Sequence, residues 1–304
     1  MTTSQHHKQQ PLSFNDRFQV NLWRFIVSIF KIVSKKDWRK AAPFLQEKKY
    51  GTHPDEILDI LEPSAQVAGQ IPLVFIHGGG WVSGTKELYY VGLNKISAKG
   101  HRVFNLNYPL APETVHPHIL ISLLNALNWI KKEYPSVSKI HIMGDSAGGN
   151  LASMLGILVS NPDLLERYFP NTTYSGPQIQ TIASLYGVMD RISWQADGFP
   201  SATFFTKAYA GADALKPDAV LSVPVTPMDF DADEIKNLPP FFIAIGSTDK
   251  LLRSAEMAFA RFSKQFDKMF FKNYEGAAHG FFQLGKGSVE LHQDVIHFIA
   301  EHQS

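Results

Sequence analysis

Cysteine is absent from this sequence of 304 residues. Its absence excludes disulfides, thiolate nucleophiles and every metal site that is built on cysteine ligands. The sequence also lacks a His-Glu-x-x-His pattern and any convincing cluster of histidine and carboxylate residues, so we expect no metal. Any covalent chemistry must therefore use oxygen or nitrogen atoms.

An excess of charge of one sign is lacking as well, because 29 Lys and Arg residues balance 28 Asp and Glu residues. Such a chain offers no global electrostatic reason to bind nucleic acid or an anionic membrane surface. Its first eight residues lack a basic segment that leads into an apolar core, so no export signal is predicted. We expect a small-molecule partner and a cytoplasmic location.

Apolar residues make up 44% of the chain and charged residues 19%, which is enough apolar material for one sizeable core. Residues 1–17 are polar and without periodicity, and they predict a flexible N-terminal arm. Residues 18–304 predict a single domain.

An amphipathic helix is predicted over residues 20–35. Polar residues recur there every three or four positions and form one stripe, which consists of Asn21, Arg24, Ser28, Lys31 and Lys35. These interruptions, and a length short of the ~20 apolar residues that a bilayer requires, argue against a transmembrane segment. Two placements stay open: packing against the body of the protein, or peripheral contact with a membrane surface.

Short apolar strands alternate with helical segments along the rest of the chain. We predict strands at residues 57–61, 72–76, 103–106, 140–143, 181–186 and 241–245, and helices at residues 126–132, 150–158 and 289–302. This alternation predicts an α/β fold with a mostly parallel central sheet and helices on both faces. It stops between Ser193 and Pro240, which indicates an insertion or cap.

The motif Gly144-Asp145-Ser146-Ala147-Gly148 follows one of these strands and precedes a helix. That is the context of the nucleophile elbow, in which glycines allow a sharp, crowded turn. A serine hydroxyl is a weak nucleophile until a general base takes its proton. The motif therefore predicts Ser146 as the nucleophile of a hydrolase that attacks a carbonyl carbon.

The base and the acid are expected in the chain order Ser, acid, His. His279 lies in a glycine-containing turn near the C-terminus, after the last predicted strand, and is the candidate base. Asp249 closes the segment Gly246-Ser247-Thr248-Asp249, which directly follows the strand at residues 241–245, and it is the candidate acid. Asp229 and Asp231 are its competitors, but they lie in the irregular segment.

Three glycines in His77-Gly78-Gly79-Gly80 follow another predicted strand. Bare backbone there can approach a substrate and stabilise the oxyanion that forms on attack. We predict the N–H groups of Gly78, Gly79 and Ala147 as the oxyanion donors. A phosphate-binding loop is excluded because the Lys and the Ser or Thr stand in the wrong order.

Taken in order, these motifs resemble the hormone-sensitive-lipase-like carboxylesterases of the α/β-hydrolase fold over roughly residues 50–300. The matching segments are His77 to Trp81 with Gly84, Asn107 to Glu113, Gly144 to Ala152, Leu238 to Pro240, Asp249, and His279 to Phe281. The resemblance implies an eight-stranded sheet and hydrolysis of short- to medium-chain esters without a cofactor. One departure is Pro109, where the family usually has Arg.

The resemblance also implies a helical cap, contributed by about residues 18–48 and about residues 193–237. Candidate residues of the substrate pocket are Trp81, Phe204, Phe205 and Tyr209, although a plain core role is as good an explanation for the last three. Three other functions stay open. Tyr50, Gly51 and residues 58–63 look similar to kynurenine formamidases, the Asn107 motif is shared with arylacetamide deacetylase, and some non-enzymatic receptors resemble this family.

Overall fold

The computed structural model describes residues 12–41, 45–64, 67 and 69–303, and the side chains of the first helix through residue 32. Eight strands form one sheet, namely β1 (Leu45–Lys49), β2 (Ile57–Leu61), β3 (Leu73–Ile76), β4 (Val103–Leu106), β5 (Lys139–Asp145), β6 (Gln178–Leu185), β7 (Phe241–Gly246) and β8 (Met269–Tyr274). Their order across the sheet is β1-β2-β4-β3-β5-β6-β7-β8. The β1–β2 and β2–β4 pairs are antiparallel, and the other five are parallel.

Helices cover both faces of this sheet, as its apolar strands require. In the described residues they are α1 (Phe14–Ala41), α2 (Tyr90–Ser97), α3 (His118–Glu133), α4 (Ala147–Ser160), α5 (Pro162–Tyr168), α6 (Ser193–Ala196), α7 (Ala202–Ala210), α8 (Leu252–Phe262) and α9 (Ser288–Glu301). Every residue of β3, β4 and β7 is buried, which explains why these strands are mainly apolar without alternation. The polar exception is Asn105 of β4, whose side-chain amide donates to the carbonyl of Lys86 at 2.8 Å. The predicted α/β-hydrolase fold is confirmed.

Both edge strands were missing from the sequence prediction. All five residues of β1 are exposed, and its sequence Leu-Gln-Glu-Lys-Lys carries no apolar pattern. Strand β8 closes the opposite edge and buries only Tyr274 fully. An edge strand is held mainly by backbone pairing with one neighbour, so its side chains carry little signal.

Helix α1 begins at Phe14, inside the predicted arm of residues 1–17. Ser13 and Asp16 form a reciprocal cap, in which the Asp16 N–H donates to Ser13 Oγ at 3.2 Å and the Ser13 N–H to the Asp16 carboxylate at 3.1 Å. This cap starts the helix earlier than the apolar periodicity suggested. The remainder of the predicted arm, residues 1–11, lies outside the described residues.

Helix α1 packs against the body with Val20 buried and Trp23 against Phe205, and two members of its polar stripe make polar contacts beside them. Arg24 donates to the carbonyl of Val82 and forms a bidentate ion pair with the carboxylate of Glu113. Lys31 pairs with Glu87 at 2.7 Å. In the described part of the chain, no helix is long and apolar enough to cross a membrane.

Candidate active site

Ser146 occupies the turn between β5 and α4 with φ of 51°, a conformation that residues other than glycine rarely adopt. Its N–H donates to the carbonyl of Leu185 in β6 at 2.8 Å. A Cβ on Gly148 would lie 2.0 Å from the carbonyl oxygen of Ile76, and one on Gly144 would lie 2.2 Å from that of Gly148. The crowding explains why glycines flank the serine.

Asp249 and His279 reach Ser146 from the carboxyl ends of neighbouring strands. Asp249 follows β7 and its side chain is fully buried, whereas His279 follows β8 and is 29% exposed. His279 Nε2 lies 2.9 Å from Ser146 Oγ, and His279 Nδ1 lies 2.7 Å from Asp249 Oδ2. The other carboxylate oxygen accepts the N–H of Leu251 at 2.9 Å. The three residues singled out from the sequence therefore form one hydrogen-bonded chain.

The two competing acids lie elsewhere. Asp229 forms an ion pair with Arg191 at 2.8 Å and accepts hydrogen bonds from Thr226, so its carboxylate supports the irregular segment. Asp231 is exposed beside a short 3₁₀ turn. Only Asp249, of these three, is placed against His279.

Asp145 links the serine turn to the glycine loop. Its carboxylate is buried, and it accepts the N–H of Gly78 at 2.7 Å and the hydroxyl of Tyr89 at 3.1 Å. The Tyr186 hydroxyl lies 3.5 Å from the carboxylate oxygen that also accepts the hydrogen bond from Tyr89. Asp145, the last residue of β5, thus anchors the first glycine of the loop next to Ser146.

The expected role of Gly78 as an oxyanion donor does not fit this arrangement, because its N–H is already used by Asp145. Gly79, Gly80, Ser146 and Ala147 line a common cavity, and Gly78 is not among its walls. The N–H groups of Gly79 and Gly80 have no backbone acceptor in the described part of the chain. The structure therefore brings Gly79 and Gly80, and not Gly78, to the cavity beside Ser146.

Burial raises the pKa of the Asp145 carboxyl from its ordinary 3.8 to about 6, against the hydrogen bonds of Tyr89 and Gly78 and the proximity of His279. Between these values the folded protein binds a proton that the unfolded chain releases. The contribution of this group to stability is therefore present at low pH and is lost as the pH rises through about 6.

We expect Asp145→Asn, which keeps an acceptor for Gly78 but cannot ionise, to gain stability relative to the wild type as the pH rises. The difference in the free energy of unfolding should shift by on the order of 1–2 kcal/mol between about pH 4 and about pH 8. Urea unfolding of both proteins at the two pH values measures this shift. A difference that does not change with pH would contradict titration of Asp145 in this range.

A cavity of about 190 Å³ opens beside Ser146 and His279. Its side-chain walls are almost entirely apolar and consist of Trp23, Val188, Trp194, Phe199 and Phe205. The Phe199 ring also meets the His279 ring edge to face, with centroids 4.8 Å apart. The site is therefore a small, aromatic-walled pocket with the polar groups at one end.

Of the four predicted pocket residues, only Phe205 lines this cavity. Trp81 is buried in a second layer, stacked on Tyr209 with ring centroids 4.3 Å apart and meeting Trp194 edge on. Phe204 is buried against Phe205. Trp81, Phe204 and Tyr209 therefore support the wall from behind, and their assignment to the pocket was wrong.

A family profile described as the α/β-hydrolase fold matches residues 73–283, which is more than half of the chain. The chain belongs to this family. Esterase LipC of Mycobacterium tuberculosis is 26% identical over 212 residues, which cover 66% of this chain and 50% of LipC. LipM of the same organism, a probable carboxylic ester hydrolase, is 27% identical over 199 residues, which cover 62% of this chain and 44% of LipM. The resemblance to hormone-sensitive-lipase-like carboxylesterases is confirmed, and the chain spans about half the length of these relatives.

Solved structures agree on the α/β-hydrolase fold. The crystal structure of esterase B from Lactobacillus rhamnosis superposes with a TM-score of 0.76 at 18% identity and covers 96% of this chain and 97% of that one. At this identity the likeness is one of fold alone. It extends the comparison beyond the matched profile to almost the whole chain.

Sequence interpretation missed several residues of this α/β-hydrolase site. Gly80 and Asp145 belong to the recognised motifs, but the motifs gave neither residue a task. The hydrogen bond from the Gly78 N–H to the Asp145 carboxylate shows that Asp145 holds the glycine loop and that Gly78 is already engaged. Tyr89 lies in a short 3₁₀ helix without a motif. The wall residues Trp23 and Trp194 come from segments more than 150 residues apart, so no local pattern could have grouped them.

Proposed function

We propose that this α/β-hydrolase cleaves short- to medium-chain carboxylic esters through an acyl-enzyme intermediate. The observation that carries the proposal is the chain of contacts from Ser146 Oγ to His279 Nε2 at 2.9 Å and from His279 Nδ1 to Asp249 at 2.7 Å. A hydroxyl, an imidazole and a buried carboxylate in this order are the components of a serine hydrolase.

In the first step, Ser146 Oγ attacks the ester carbonyl carbon while its proton moves to His279 Nε2. The Asp249 carboxylate holds the imidazole in the tautomer that leaves Nε2 free to accept, and it stabilises the imidazolium that forms. The Leu251 N–H fixes the orientation of that carboxylate. Asp249 therefore keeps its own charge throughout.

Negative charge develops on the former carbonyl oxygen, and we assign its stabilisation to the N–H groups of Gly79, Gly80 and Ala147. Ala147 is the first residue of α4, so its N–H has no acceptor within the helix and lies at the positive end of the helix dipole. Removing one donor of this kind costs an enzyme about 10²–10³-fold in rate. The Asp145 contact with Gly78 is what holds the loop that carries the other two.

When the tetrahedral intermediate collapses, the bond to the alcohol oxygen breaks and protonated His279 gives its proton to that oxygen. Water then takes the place of the alcohol, loses a proton to His279 and attacks the acyl-enzyme, which releases the acid and regenerates Ser146. Each step uses this chain and water. A cytoplasmic location stays a prediction from the sequence.

The cavity supports a small acyl group. Its volume of about 190 Å³ is below the ~300–1,000 Å³ that is usual for sites of drug-sized ligands. Trp23 belongs to the proposed cap segment 18–48, and Trp194, Phe199 and Phe205 belong to the proposed segment 193–237, so both segments enclose the substrate. Ring contacts between Trp23 and Phe205, 5.4 Å between centroids, join the two segments.

A panel of nitrophenyl esters from acetyl to decanoyl, with N-formylkynurenine included, tests the proposal. We expect kcat/KM to be highest for the short acyl groups. Trp23→Ala enlarges the cavity, so the ratio of decanoyl to acetyl kcat/KM should rise by about tenfold, the value of one or two methylenes in an apolar pocket.

The substitution Trp129→Ala, on α3 and away from the cavity, is the matched control and should leave the acyl preference unchanged. A pure wild-type protein that hydrolyses no ester in the panel would overturn the assignment. A strong preference for N-formylkynurenine would replace the ester by an aryl formamide as the substrate class.

A further inference from the structure

The side of α1 that faces away from the protein is apolar. Six residues spaced three or four positions apart form this outer stripe, and each has 44–88% of its surface exposed; they are Phe14, Phe18, Leu22, Phe25, Ile29 and Ile32. At 3.6 residues per turn, this spacing places all six on one face of the helix. An ordinary surface helix is polar on its outer face, whereas α1 is apolar there in addition to Val20 and Trp23 on its inner side.

Polar contacts hold α1 in this orientation. Arg24 makes hydrogen bonds to two backbone carbonyls and to Glu113, and Lys31 and Asp16 pair with Glu87 and Lys207. Turning the helix to bury the outer stripe would break these contacts and leave charges without partners. These contacts therefore keep the outer stripe exposed.

The size of the outer stripe decides between two kinds of partner. Residues 14–32 span about 28 Å, and one helix face about 10 Å wide gives an area of roughly 300 Å². A stable contact with a second copy of the chain would bury about 800 Å² on each partner. An apolar patch of this size is still large enough to be functional. A narrow apolar helix face matches partial insertion into a lipid surface, as interfacial helices do.

The outer stripe also lies directly over the site. The Trp23 side chain projects from the inner side of the same helix and lines the cavity beside Ser146. We propose that the outer stripe of α1 docks on a lipid surface, with the helix in the plane of the interface, and so brings the cavity to esters dissolved in lipid. The delivery of esters rests on the proposed function, whereas the docking does not.

Because the outer stripe carries no charged residue, its contact with lipid should depend on apolar burial. Binding to uncharged phosphatidylcholine vesicles is therefore expected, and raising the salt concentration tenfold should change it by less than about twofold. Electrostatic adsorption would show the opposite, because it requires anionic lipid and weakens with salt.

Sedimentation with phosphatidylcholine vesicles, using the full chain without substrate, tests the proposal. We expect Phe18→Ser with Phe25→Ser to weaken partitioning by at least about tenfold, since both side chains lose the apolar area that enters the lipid. The matched control is Val220→Ser with Val289→Ser, an exposed apolar pair outside α1. The control and Ser146→Ala should bind as the wild type does, and circular dichroism checks that each variant is folded.

Three results would overturn the docking surface: a wild type that stays in the supernatant, a stripe variant that binds as well as the wild type, or a dimeric wild type that the stripe variant converts to a monomer. Hydrolysis of nitrophenyl acetate in buffer should be equal in the wild type and the stripe variant. A wild type that binds vesicles but hydrolyses no ester would contradict the proposed function and support the docking surface.

Discussion

Replacing Ser146 by alanine is expected to lower kcat for nitrophenyl acetate by about 10⁴-fold or more, while KM changes little. The variant keeps the cavity and the candidate oxyanion donors, so substrate still binds, but no oxygen lies 2.9 Å from His279 to form the acyl-enzyme. A fluorophosphonate should add one phosphonyl group to the wild type at Ser146 and none to the variant.

His279→Ala should lower kcat about as much as Ser146→Ala, and the double variant should be little worse than either, because the two residues act as one unit. Ser175→Ala removes an exposed serine hydroxyl and should leave kcat unchanged. Independent, multiplying losses at positions 146 and 279 would contradict the proton transfer. If the wild type neither turns over nor reacts with the fluorophosphonate, a ligand-binding protein on this fold becomes the better interpretation.

The parallel centre of the sheet could be predicted from the sequence, and its edges could not. Strand β4 was expected at residues 103–106, the bounds that the structure gives, because a strand buried on both faces is mainly apolar, as Val103, Phe104 and Leu106 are here. All residues of strand β1 are exposed and four of the five are polar, so it resembles a loop in sequence until it is paired with β2.

In the site, residues that stand in local motifs could be predicted, whereas hydrogen bonds between distant residues could not. Ser146, His279 and Asp249 stand in short motifs or directly after strands, and their types alone suggest their chemistry. The use of the Gly78 N–H depends on the Asp145 carboxylate, 67 residues further along the chain. No pattern within one segment could reveal that hydrogen bond.

Helix α1 shows a further limit of periodicity. The spacing of polar residues predicted an amphipathic helix, but a helical pattern only separates two faces and does not say which one meets the protein. The choice was made by partners elsewhere in the chain, since Glu87 and Glu113 pair with Lys31 and Arg24. Val20 and Trp23 therefore meet the body, and the outer stripe stays exposed.

Gly148→Ala is expected to lower the free energy of unfolding by about 3 kcal/mol or more. The added Cβ would lie 2.0 Å from the carbonyl oxygen of Ile76 and 2.6 Å from that of His77, and neither backbone atom can rotate away. Relief requires α4 to move from the end of β3, which also displaces the Ala147 N–H from the glycine loop. The variant should therefore lose ester hydrolysis in addition to stability.

Gly156→Ala, on the same helix, separates backbone crowding from the effect of a methyl group as such. Its Cβ would lie 2.2 Å from Cδ1 and 2.5 Å from Cγ1 of Ile182, two side-chain atoms that a change of rotamer about the Cα–Cβ bond can move. Alanine also favours the helix by about 1 kcal/mol over glycine. Urea unfolding should then place Gly156→Ala within about 1 kcal/mol of the wild type, with its activity intact. Equal losses at the two positions would show that the contact of Gly148 with β3 has no special part in holding the serine turn against the glycine loop.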